Sequence, residues 1–124
     1  VVDEIDMQEQ LQAAREKRYK SRKRKRNVIK KELLSQLDEL GISGKHFEDL
    51  VEDYMSLWDT KNELIFDIED KGVSVFYQNG ANQWGYKKND SVAELNRVNA
   101  QMLKIIASLH LQPEAKEDDG DFML

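Results

Sequence analysis

The sequence predicts a mainly α fold of about four helices, with a small β-hairpin before the last helix. Two observations predict it. Apolar residues recur at three- and four-residue steps through most of residues 27–109, and the period changes only once, to β-branched and aromatic residues on either side of Asn79-Gly80. A chain of 124 residues makes one domain with one modest core the default.

Residues 1–26 read as a polar N-terminal arm, helical or mobile. Ala13, Ala14 and many Gln, Glu, Lys and Arg residues favour helix, and Asp3, Glu4 and Asp6 suit a helix start. Ile5, Met7, Leu11 and Tyr19 form no continuous stripe, and like charges on every face from Arg15 onward should fray an unbound helix. Residues 27–112 form the helical core. Asn27 is expected to cap a helix over residues 27–40, with Ile29, Leu33, Leu37 and Leu40 on one face and Gly41 as the stop. The longest helix covers residues 45–71, where Phe47, Leu50, Val51, Tyr54, Leu57, Trp58, Leu64, Ile65 and Ile68 supply the apolar face and Gly72 ends it. Residues 73–77 and 83–87 pair as a hairpin. Ser91 and Glu94 make a capping box for a last helix to about residue 109, which Pro113 stops. Residues 113–124 are an acidic tail tipped by Phe122, Met123 and Leu124.

Charge is distributed unevenly. The chain has 19 Lys and Arg against 24 Asp and Glu, a net charge of -5. Residues 15–31 hold Arg15, Lys17, Arg18, Lys20, Arg22, Lys23, Arg24, Lys25, Arg26, Lys30 and Lys31 against the single acid Glu16, a surplus of +10 that leaves −15 on the rest. Solvated helices usually alternate signs, so a one-sign run points to a polyanion. Nucleic acid is the first reading, with a nuclear-import signal or acidic lipid as alternatives. Phosphate contacts give affinity without reading sequence. A helix-turn-helix over residues 27–71 is disfavoured because its reading helix would open with Glu48, Asp49, Glu52 and Asp53, so the pair reads as a structural αα-hairpin. Tyr77, Trp84 and Tyr86, beside Lys87 and Lys88, are read as core or interface before base-stacking groups.

No catalytic constellation, cofactor or metal is expected. There is no Cys, no Gly-rich phosphate loop, and only His46 and His110, without metal-ligand spacing. The acids Glu48, Asp49, Glu52 and Asp53 read as a solvated helix face before a Mg²⁺ site. No apolar run reaches the roughly 18 residues of a membrane span, and the acidic start does not resemble a signal peptide.

Five features in order resemble the P27 family of phage terminase small subunits: Tyr54-x-x-x-Trp58 in a long helix, Gly72 at its end, Asn79-Gly80 between strands, Lys87-Lys88-Asn89 before the last helix, and Leu109-x-Leu111-x-Pro113. The resemblance covers residues 45–115. Two features depart from it: Asp90 follows Asn89 where the family has Pro, and Gln112-Pro113 leads into acids where the family runs on to Arg. The resemblance implies a non-catalytic DNA-packaging factor that assembles as a homo-oligomeric ring of about 8–11 subunits. Such a factor recognises double-stranded viral DNA in the cytoplasm of the infected bacterial host and brings it to the terminase large subunit, the ATPase and nuclease. On that reading the eleven cations contact DNA, the hairpin and flanking helices make subunit contacts, and Phe122, Met123 and Leu124 meet the large subunit or end an unstructured solubilising tail. The alternative is a transcriptional or architectural protein with the basic arm as a DNA clamp, or a protein-binding scaffold with the run as a localisation signal.

Overall fold

The computed structural model describes residues 3–111, arranged as α1 (Glu4–Glu39), α2 (Lys45–Lys71), β1 (Ser74–Gln78), β2 (Trp84–Lys88) and α3 (Asp90–Ser108). Among the described residues there are three helices where about four were expected, because α1 runs unbroken through Asn27. No Gly or Pro interrupts residues 4–39, and acids on α2 neutralise part of the like charge that was expected to fray the arm. Asp3 caps α1 by accepting from the Ile5 N–H at 3.2 Å.

The turn to α2 is a Schellman closure. Gly41, at φ 70°, donates to the Asp38 carbonyl, and the Ile42 N–H reaches back to the Leu37 carbonyl at 2.9 Å. Leu40, expected in the core, lies at this cap and is exposed. The same closure ends α3. His110 takes the left-handed conformation at φ 59°, and the Leu111 N–H bonds the Ile106 carbonyl, turning Leu111 into the core. The helix therefore stops before Pro113, which lies outside the described residues.

The core joins Leu33 and Leu37 of α1, Val51, Met55 and Trp58 of α2, and Val98, Met102, Leu109 and Leu111 around α3. Tyr54 packs against it, as expected of a packing residue, and burial raises its phenol above the usual value. Only the last third of α1 enters this core. Upstream of Ile29, α1 is held to α2 by charge.

The two strands pair antiparallel, Ser74 opposite Lys88 and Gln78 opposite Trp84, one residue further along than expected. Gly85 opposes Tyr77, and a Cβ there would stand 3.3 Å from the Tyr77 ring, so glycine leaves room for the ring to cross the strand.

The cap of α3 differs from expectation. Asn89, buried and extended, accepts from the Ser91 N–H at 3.0 Å, so Asn89 is the cap in place of Ser91. Its amide donates to the Gly72 carbonyl at 2.9 Å and to Asp67 at 3.1 Å, and the Ser91 hydroxyl donates to Asp67 at 2.7 Å. This node ties the end of α2, the hairpin base and the start of α3 together. Hydrogen bonds from Ser91, then Lys71 and Asn89, hold the Asp67 carboxyl below its usual value. A carboxyl so depressed stabilises the fold above the ordinary carboxylate range and loses that contribution as pH falls through it. Asn89→Ala is expected to cost about 2–3 kcal/mol in urea melts near neutral pH, from the missing cap and the unpaired Gly72 carbonyl. The variant should also lose less of its remaining stability between about pH 5 and pH 3 than the parent does. Equal stability of variant and parent at both pH values is the result against it.

Candidate nucleic-acid interface

Arg18, Arg22, Arg26 and Lys30 recur every four residues, which places them on one face of α1. Glu52, Asp59 and Glu63, at steps of seven and four, share one face of α2. The antiparallel helices set these two rows against each other. Arg18 makes a two-pronged contact with Glu63, at 2.8 and 3.2 Å, and Arg22 meets the same carboxylate at 3.0 Å. Arg26 Nε donates to both oxygens of Asp59 at 3.0 Å, and Lys30 pairs with Glu52. The Arg18 guanidinium also lies over the Phe66 ring, 4.0 Å from its centroid, and those of Arg22 and Arg26 lie 5.9 and 6.0 Å from the Tyr19 ring.

These pairs are partly withdrawn from water. The Arg22 and Arg26 side chains are each 15% exposed, so their Coulomb attraction is less screened than that of a fully exposed pair. The Glu63 carboxyl lies below its usual value, first through the hydrogen bond from Arg18 and then that from Arg22. Glu52 is lowered by Lys30 in the same way.

The eleven cations predicted to meet DNA therefore divide into two sets. Arg18, Arg22, Arg26 and Lys30 turn inward to acids, whereas Arg15, Lys17, Lys20, Lys23, Arg24, Lys25 and Lys31 are exposed. Within the exposed set, Lys17, Lys20, Arg24 and Lys31 are separated by three, four and seven residues, a single stripe on the side away from α2. The stripe spans about 21 Å at roughly 1.5 Å per residue. No acid stands among these four positions, and Glu16 and Glu32 bracket them. The geometry suits a row of phosphates: exposed cations in line along one side of a helix, with no acid paired to them among the described residues.

The carboxylate row on α2 and the Phe66 platform were not anticipated from the sequence. The signal was present in the spacing of Glu52, Asp59 and Glu63, and it acquires meaning only once α1 and α2 are known to lie antiparallel. Among the described residues no group of three or more His, Asp or Glu is placed to hold a metal ion, and no helix is long and apolar enough to cross a membrane. Phe122, Met123 and Leu124 lie outside the described residues.

Residues 30–118 match the family model described as "Phage terminase, small subunit". The chain belongs to that family. As a terminase small subunit it is part of the machinery of phage DNA packaging. The match begins at Lys30, so it takes in α2, the hairpin and α3 and leaves out all but two of the eleven cations. The exposed stripe is thus mostly a feature of this small subunit beyond the part that defines its family. Comparison of the small subunit with curated proteins and with solved structures gives no match.

Proposed function

We propose that this terminase small subunit is a non-catalytic DNA-binding component. It binds double-stranded viral DNA in the cytoplasm of the infected bacterial host and delivers it to the large subunit, which carries the ATPase and nuclease. The observation that carries the reading is the outward stripe of Lys17, Lys20, Arg24 and Lys31, cationic and without a paired acid among the described residues, on a helix whose opposite face is already neutralised. In a homo-oligomeric ring of about 8–11 copies, arms that are weak one at a time act on a single duplex at high effective concentration. The order of elements in residues 45–115 supports placing the chain in the P27 group of the family. The acidic tail, with Phe122, Met123 and Leu124, is the proposed contact for the large subunit.

Phosphate contact makes affinity a function of salt. If each arm engages about six phosphates, log K for a mixed-sequence duplex should fall against log salt with a slope near −5. Fluorescence anisotropy of a labelled duplex over a series of NaCl concentrations measures it. An affinity that does not respond to salt removes the reading.

A further inference from the structure

The hairpin has an uncovered face. Alternation puts Phe76, Trp84 and Tyr86 on the same side, with Ser74 and Lys88 at its base. The three aromatic residues are 56%, 63% and 73% exposed, and the Trp84 and Tyr86 rings lie 6.3 and 5.9 Å from Phe76. The groove at the base is lined by Ser74 and Lys88 on one side and by Ala93 and Asn96 of α3 on the other. The aromatic face therefore continues onto the outward side of α3. There it runs through Ala93, Asn96, Ala100, Leu103 and Ala107 at alternating three- and four-residue steps, opposite the buried Val98 and Met102, and Leu103 is 70% exposed.

We propose that this continuous surface, hairpin aromatics plus the outward face of α3, is where a second copy of the chain docks. The inference rests on the oligomeric assembly proposed above and names its contact. Three observations favour a second copy. The aromatic residues alone leave on the order of 400 Å² of apolar surface open, and a specific protein contact uses roughly 800 Å² per partner. A two-stranded sheet whose outer edges pair with no other strand among the described residues is marginal by itself and needs a lasting cover, which a copy of the same chain provides whether or not DNA is bound. Residues 73–88 hold no acid and put Lys88 on the aromatic side, and the body of a neighbouring copy offers exposed acids such as Glu48, Asp49 and Asp53. A DNA backbone docking here would instead meet Asp90, which lines the groove at the hairpin base.

Light scattering of the full chain tests the proposal, with Trp84→Ala plus Tyr86→Ala as one variant and Leu103→Asp as another. These side chains lie outside the core, so both variants should keep the helical circular dichroism of the parent. Each should drop to smaller species, with association about 100-fold weaker. A parent chain that is monomeric at high concentration removes the assembly reading and this surface with it. A parent that assembles, with both variants at full mass, overturns the surface alone. Variants that keep their mass but lose duplex binding assign the face to nucleic acid and overturn it too.

Discussion

Replacing Lys17, Lys20, Arg24 and Lys31 together by Ala is expected to reduce the dependence of log K on log salt by about 3.6, at roughly 0.9 for each phosphate left without its cation. At about 50 mM salt the same change should weaken binding to a mixed-sequence duplex by roughly a hundredfold or more. Fold stability should hardly change, because all four side chains are exposed, none makes an ion pair among the described residues, and Ala is a stronger helix former than Lys or Arg. Relief of repulsion along the stripe adds to helix stability. The matched control is Arg22→Ala with Arg26→Ala, which deletes charge from the same helix on the side facing α2. It should lower the melting temperature and leave the salt slope nearly as it was. Equal slopes for the outward variant and the parent would show that DNA does not run along this side of α1.

The contrast between the two sets of cations marks how far the sequence could be read. Its charge run marked the turns of α1 that carry the candidate interface. It did not divide the run, because the division depends on which α1 residues face Glu52, Asp59 and Glu63 across an antiparallel contact. That facing is long-range information, and the 3.6-residue period of one helix does not hold it. The same limit explains the break expected at Asn27. Locally, Asn after a one-sign run resembles a cap, but part of the charge that should have frayed the preceding helix is compensated from α2. Met55 shows a milder case: the apolar face of α2 was plain, yet this fully buried residue was passed over in favour of aromatic and branched neighbours. Conversely, the hairpin and the helix stops at Gly41 and Gly72 were legible because their causes are local: an Asn-Gly turn and positive φ. The Asn89 node was half legible. Capping at the start of α3 was expected, but the choice of Asn89 over Ser91 follows from Asp67, 22 residues upstream, drawing the Ser91 hydroxyl away.

The pairing of α1 with α2 leads to the second large effect, in which one change moves stability and DNA affinity in opposite directions. Glu63→Gln with Asp59→Asn removes both carboxylates that hold Arg18, Arg22 and Arg26. The guanidinium groups of Arg22 and Arg26 then lie partly buried without counter-charge, which should cost about 2 kcal/mol or more in urea melts. The acid response should change with it. In the parent, the depressed Glu63 carboxyl gives stability that is present above the ordinary carboxylate value, near about pH 4, and is lost as pH falls below it. The variant lacks that carboxylate, so its acid limb should be flatter. Duplex binding should strengthen, because three cations no longer satisfied within the chain become available to phosphates, and the salt slope should steepen by up to about 2.7. Simple damage to the fold predicts the other sign for DNA, since a disordered α1 presents its charges less rigidly and pays more entropy on binding. A less stable variant that binds duplex more tightly and more salt-dependently therefore identifies the α2 acids as competitors of DNA for the inner face of α1. A less stable variant with unchanged slope confines them to holding the helices together and leaves DNA contact to the outward stripe alone.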